Sequence, residues 1–300
     1  MLILVDEDVI NNCGSNTSLE YLEIGCCQSL KSLTSSGELL VTLKYLQIFN
    51  YNKLESIAKS CHHNSSLEVI DIRSCENLKS LPEDIHSLSN LDQIFINGCP
   101  TLVSFSDGGL LSANLRELTI SKCEKLQTLP NHIHNLSSMQ LLQIQDCSGI
   151  VSFPKVGFPT NLTSLFIHNM VSFSEGFFEW GLHRLTSLKQ LEIDGGSSHL
   201  VSFPEMMLPA SLSSLSIKHF LNLKYLSSKG FRFLTSLEKL SIGRCEKLTS
   251  FPEDGLPPSL LQLYIIGCPL LKERCKKDRG QESFQIAHIP YVQIDGRFIL

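Results

Sequence analysis

The sequence predicts an α/β solenoid, and three observations predict it. One skeleton, L-x-x-L-x-I-x-x-C-x-x-L-x-x-L-P, is written most fully at Leu115, Leu118, Ile120, Cys123, Leu126, Leu129 and Pro130 and returns along the chain. Copies begin at Leu19, Leu43, Leu67, Leu91, Leu115, Met139, Leu162, Leu188, Leu212, Leu237 and Leu260, with a step of 24 residues through the first half that later varies by one or two. A fixed step of this size marks stacked supersecondary units rather than unrelated elements. Within each copy the second leucine and the isoleucine alternate with polar residues, which is strand periodicity.

About eleven such copies make one coil each of a leucine-rich repeat spanning residues 19–275. Positions equivalent to Leu118 and Ile120 point inward, and the stacked strands form a parallel sheet on the concave side of an arc. No coil can bury its own leucines, so stacking is the core. Residues 1–18 fit the pattern least: Val9 falls where a preceding coil would end and no polar cap is evident, which reads as a partial coil or the remnant of a longer array.

The return segments are of two kinds. In Pro82–Asn90 and Pro130–Ser138 the pairs Ile85/Leu88 and Ile133/Leu136 are spaced for one inward-facing helical turn. The segments around Gly157-Phe158-Pro159, Met207-Leu208-Pro209 and Gly255-Leu256-Pro257-Pro258 are punctuated by proline and too short for helix. Strands need under 5 Å and helices about 8–10 Å between axes, so a thin return side opens the arc. The expected convex side is therefore loop-rich and mostly non-helical.

Four coils depart from the rule. The seventh is short between Ile167 and Phe173, the eighth carries Gly195-Gly196-Ser197-Ser198 where the cysteine belongs, and the second and ninth place Tyr51 and Phe220 there. Beyond Cys268 the repeat decays: Arg274 stands where an inward leucine is due, Lys272–Arg279 is highly charged, and Ile289–Ile294 offers a closing strand with Val292 and Ile294 inward. Residues 276–300 are read as a cap and tail.

Composition bounds the function. Hydrophobic residues at 42% and charged residues at 18% fit a folded chain, and a net charge of −5 gives no basis for general nucleic-acid binding. Residues 1–150 hold 9 Lys and Arg against 17 Asp and Glu, and residues 151–300 hold 16 against 13. That polarity either orients a partner or keeps the surface solvated. Cys27, Cys75, Cys99, Cys123, Cys147, Cys245 and Cys268 share one repeat position, so they read as small buried hydrophobes and free thiols of a reducing compartment. Cys13, Cys26, Cys61 and Cys275 have no metal-ligand spacing, and the adjacent Cys61-His62-His63 cannot close on one tetrahedral ion. No secretory signal or membrane span is visible. The triplets beginning at Asn16, Asn64, Asn135 and Asn161 carry no glycosylation meaning without an export signal.

No phosphate loop, nucleophile elbow, H-E-x-x-H or kinase signature is present. Gly108-Gly109 and Gly195-Gly196 lack the strand-to-helix context of a phosphate cradle, and His132 and His134 flank the inward Ile133 and face solvent. A binding scaffold is expected, with no enzyme activity, cofactor or metal.

The cysteine-bearing repeats ISKCEKLQTLP, IRSCENLKSLP and IGRCEKLTSFP resemble those of plant intracellular nucleotide-binding leucine-rich-repeat disease-resistance receptors of the coiled-coil class. Ile266–Cys275 followed by Ile286–Pro290 resembles the C-terminal sequence of that family, in which tryptophan is common near the position of Phe284. The resemblance implies recognition of a pathogen effector or a guarded host protein, restraint of a nucleotide-binding domain in cis or in trans, and a cytoplasmic or nuclear location. ADP or ATP would belong to that domain, which this chain lacks. Two alternatives stay open: an extracellular receptor or inhibitor, which would show L-x-G-x-I-P coils and paired cap cysteines, and a ubiquitin-ligase substrate adaptor, which would need an N-terminal docking motif.

A partner should bind the outward third, fifth and seventh positions of each copy. Most are small or polar. Tyr21, Tyr45, Phe49 and Phe95 are not, and they accompany Glu23, Asp71 and Arg73 in the first four strands. Aromatic residues beside charges are the anchors protein interfaces use, although absent upstream coils would equally cover them. A second group comprises Phe166, His168, Gln190, Glu192 and Asp194, and Tyr264 stands alone near the cap.

Overall fold

A computed structural model describes residues 19–25, 39, 41–58, 60–61, 64, 66–82, 84–105, 112–150, 153, 157–169, 181–196, 199–204, 207–276 and 280–299. Expectations for residues 1–18, Cys13, Cys26, Cys27, His62, His63, Gly108, Gly109, Phe173, Ser197, Ser198 and 277–279 lie outside them. The chain divides into two compact units, Met1–Pro154 and Lys155–Leu300.

In the first unit the strands are β1 (Tyr21–Gly25), β2 (Tyr45–Phe49), β3 (Val69–Arg73), β4 (Gln93–Asn97), β5 (Glu117–Ser121) and β6 (Leu141–Gln145). Each pairs in parallel with the next, and every residue faces its counterpart one coil on, as Leu118 faces Leu142 and Ile120 faces Ile144. The second and fourth residues of each strand are buried, so the predicted alternation holds. Burying a leucine or isoleucine contributes about 1.5–3 kcal/mol, and here the gain exists only because a neighbouring coil covers it. Ile85 and Ile133 lie inward on 3-10 turns at Ile85–Ser87 and Ile133–Asn135, as the spacing predicts.

The strands end by a shared device. The residue after each outward seventh position lies in the left-handed region at Asn50, Ser74, Gly98, Lys122 and Asp146. Such a backbone costs a non-glycine residue about 1–3 kcal/mol unless its surroundings hold it. It is held on two sides. Lys122 N–H donates to Gln145 O at 2.9 Å, adding one rung to the ladder, and the cysteine that follows turns inward and donates its weak S–H to a carbonyl two residues back, as Cys123 does to Ser121 O at 3.4 Å. Cys75, Cys99, Cys123 and Cys147 are fully buried free thiols, and Tyr51 fills the same position completely buried.

In the second unit β7 (Ser164–His168), β8 (Gln190–Asp194), β10 (Ser214–Lys218), β12 (Lys239–Gly243), β13 (Gln262–Ile266) and β14 (Tyr291–Ile294) run parallel in chain order. Between them, β9 (Ser202–Phe203) and β11 (Tyr225–Leu226) form a small parallel pair of their own. Phe220 replaces the ladder cysteine fully buried and stacks on Phe203 with ring centroids 5.0 Å apart. Short helices at Ser228–Phe231, Pro269–Arg274 and Ser283–Ile286 and a 3-10 turn at Leu182–Arg184 are the helical elements described in this unit.

The cap partly follows expectation. Val292 and Ile294 are buried on β14, paired with β13. Beyond it Asp295 and Gly296, both with positive φ, turn the chain into β15 (Arg297–Ile299), antiparallel to β14. A two-residue turn of this kind matches the twist of paired antiparallel strands. Where Arg274 breaks the repeat, the adjacent Cys275 is buried instead, at the C-terminal end of the helix Pro269–Arg274.

Candidate protein-binding face

In the first unit the outward residues form three columns across the strands. Tyr21 and Tyr45 are register partners with ring centroids 5.9 Å apart, and each hydroxyl is tied down: Tyr21 Oη donates to Gln47 Oε1 at 2.8 Å and Tyr45 Oη to Glu68 Oε2 at 3.3 Å. Tyr45 is 40% exposed. Phe49 is half-buried, because its ring lies on Gly25 of the neighbouring strand so closely that a methyl group there would sit 2.2 Å from the ring. Asp71 and Arg73 form a two-pronged ion pair along one strand, at 2.8 and 2.7 Å. Phe95, half-buried, stands in register between Asp71 and Thr119. Glu23 is half-buried, in register with Gln47. The tyrosines and Phe49 are thus brought together on adjacent strands, with Phe95 two strands beyond Phe49.

Along the N-terminal ends of these strands runs a polar groove of about 720 Å³, lined by Tyr45, Glu68, Asp92 and Arg116 with serine and asparagine side chains from the preceding turns. Arg116 is hydrogen-bonded to Asp92. Glu117 beside them has its carboxyl pushed above the usual range, first by burial and then by the Asp92 charge.

The second unit assembles more than its sequence suggested. Phe166 and His168 lie with ring centroids 6.4 Å apart on β7. Glu192 on β8 lies between His168 and Lys218, 3.1 Å from His168 Nε2, off the line of a hydrogen bond, and 2.6 Å from Lys218 Nζ. Its carboxyl is held down to about 2 by His168 first, with Lys218 adding to the effect against the cost of burial. Asp194 Oδ2 lies 2.5 Å from His219 Nδ1, and His219 Nε2 lies 3.1 Å from Arg244 Nη1. A guanidinium only donates, so His219 accepts at Nε2 and its proton resides on Nδ1, facing the carboxylate. Gln190, at the start of β8, is exposed.

Sequence reasoning missed Lys218, His219 and Arg244. Lys218 occupies the same seventh position as His168 and Asp194, so a full reading of that column finds it. His219 and Arg244 lie one residue further, on the left-handed turn residue. Tyr264 is not alone, contrary to expectation. Tyr291 packs 5.4 Å from it, Phe298 meets Tyr291 edge-on at 4.9 Å, and Lys239 Nζ lies 5.2 Å over the Tyr264 ring. Phe298 arrives on the hairpin strand β15, for which the repeat carries no signal.

Among the described residues no three His, Cys, Asp or Glu side chains converge to hold a metal, and no helix is long and apolar enough to cross a membrane.

No family model matches the chain. It is 40% identical over 141 residues, 47% of its length, to an Arabidopsis thaliana protein named for disease resistance, and it spans only 10% of that relative. The leucine-rich repeat domain of the type III effector XopL has a similar fold, with a TM-score of 0.59 and 24% identity over 73% of this chain and 75% of that one. YopM from Yersinia enterocolitica is similar with a TM-score of 0.56 and 21% identity, over 88% of this chain and 52% of that one. The chain has the fold of a leucine-rich-repeat solenoid.

Proposed function

We propose that the chain is the recognition module of a plant intracellular disease-resistance receptor of the coiled-coil, nucleotide-binding class. It would sense a pathogen effector or a guarded host protein, restrain a nucleotide-binding switch domain, or do both, in the cytoplasm or nucleus. The observation that carries this reading is the 40% identity with the Arabidopsis disease-resistance protein. The first-unit cluster of Tyr21, Tyr45, Phe49 and Phe95 with Glu23, Asp71 and Arg73 supplies the contact surface. Phe166, His168, Glu192, Asp194 and Tyr264 extend recognition in the second unit.

The test is association of the purified chain with the nucleotide-binding domain of a coiled-coil-class receptor, measured by calorimetry. Truncating interface anchors typically costs about 2 kcal/mol each, so Tyr45→Ser with Phe95→Ser should weaken association by roughly a hundredfold or more. Phe49 is the poorer probe because its ring supports the fold over Gly25. Unchanged affinity in the folded double variant would place recognition elsewhere; absence of any association would remove the restraining role.

A further inference from the structure

The outward face of β10 and β12 is floored by small residues, Ser214, Ser216, Ser241 and Gly243, between Glu192 on β8 and Tyr264 on β13. Ser216 is 8% exposed, and its hydroxyl has no hydrogen-bond partner. A buried hydroxyl left unpaired is destabilising, a cost that an idle surface would shed by using alanine. Lys218, two residues along, reaches to Glu192, and its stem lies over Gly243, where a methyl group would meet its Cγ at 3.2 Å.

The charges around this floor do not balance. Glu192 pairs with Lys218, and Asp194 is reached by His219 Nδ1, whose Nε2 accepts from Arg244. Lys239 and Arg244 are exposed and have no carboxylate partner among the described residues: Lys239 lies over the Tyr264 ring and Arg244 points to His219. Glu192 and Asp194 against Lys218, Lys239 and Arg244 leave one positive charge over, and with the unpaired donor in the floor that surplus is complementary to one carboxylate.

We propose that this floor receives an aspartate or glutamate side chain of a protein partner, Ser216 Oγ donating to its carboxylate while Lys239 and Arg244 supply the opposing charge. Lys218, on a flexible stem, leans aside to admit it. The proposal rests on the strand face being the protein-binding surface and adds the chemistry of what the second unit recognises.

The probe is a rhodamine-labelled nonapeptide with three central acidic residues between glycine and serine, set against its three-lysine counterpart and read by fluorescence anisotropy. The acidic peptide should bind saturably and the lysine peptide should not. Lys239→Gln with Arg244→Gln should weaken binding by about tenfold or more, the scale of losing charge-assisted hydrogen bonds. Ser216→Ala should weaken it about fivefold while leaving the melting temperature equal or higher, since the variant removes an unsatisfied group. Tyr45→Ser with Phe95→Ser should leave peptide binding intact, which separates this site from the first-unit cluster. Equal binding of both peptides, unchanged binding by Ser216→Ala, or a lowered melting temperature in that variant would each overturn the proposal.

Discussion

Gly195 and Phe220 are expected to be strongly coupled, and the coupling can be worked out from their contact. A methyl group on Gly195 would sit 2.4 Å from Phe220 Cγ and within 2.7 Å of both Cδ atoms, far inside van der Waals separation. Gly195 has no positive φ, so Gly195→Ala introduces overpacking alone, costing about 1–3 kcal/mol. Phe220→Cys restores the ladder residue but empties a fully buried site. Phe→Ala costs about 3–5 kcal/mol in cores, and cysteine keeps one heavy atom more, so about 2–4 kcal/mol is expected. Losing the stack on Phe203 adds about 0.5–1.5 kcal/mol. In the double variant the ring is gone and the methyl occupies part of the hole. Its cost should then fall below the sum of the single variants by at least about 1 kcal/mol. Urea unfolding followed by far-ultraviolet circular dichroism completes the cycle. Additivity within about 0.5 kcal/mol would show that the close approach of Gly195 and Phe220 is not what sets the packing there.

Two further outcomes follow from groups buried on or beneath the strands. Glu192, held to about 2, lies below the usual glutamate value of about 4.3, so its contribution is present above pH 4.3 and is lost as pH falls toward 2. Glu192→Gln should flatten stability over that window by about 1–2 kcal/mol, allowing for partial exposure; an unchanged acid limb would contradict the ion pairs. Cys123 and Cys245 are raised above the ordinary thiol range by hydrogen bonding to the thiols of Cys147 and Cys268 in the next coil, with burial adding to it. Iodoacetamide should label these cysteines at least about a hundredfold more slowly in the native chain than in urea. Stoichiometric native labelling within minutes, read by mass spectrometry, would overturn their burial.

The repeat made the inward strand positions legible because one period serves every coil: Leu118 and Ile120 identify Leu215 and Ile217 without further information. The substituted coils were legible too, since Tyr51 and Phe220 sit at the cysteine register. What stayed hidden was conformation that residue type does not encode. The left-handed strand ends fall on Asn50, Lys122, His219 and Arg244 as well as on Gly98 and Gly267, so only the glycines signal them. One available signal went unread: the residue before the first leucine is Ser, Thr or Asn in every copy. The structure gives its reason, for Thr42, Ser211 and Ser259 donate to the carbonyls of Leu19, Leu188 and Leu237 one coil back, at 2.9, 2.8 and 2.8 Å.

The candidate face was legible by column and less so by contact. Tyr21 and Tyr45 share the third position, so their pairing follows from register. The seating of Phe49 follows from the glycine directly opposite it, a cross-strand relation that a search for exposed aromatic residues does not weigh. The Asp194–His219–Arg244 chain depends on side chains leaving the turn residue, whose direction only the coordinates supply.

Hydroxyl-radical footprinting of the chain with and without a bound coiled-coil-class nucleotide-binding domain tests the central claim most directly, because aromatic side chains report their own burial. The account predicts reduced oxidation of Tyr21, Tyr45 and Phe95 on the strand face, with Phe233 on the return side, 48% exposed, unchanged. Protection of Phe233 with Tyr45 still oxidised at its free rate would contradict it.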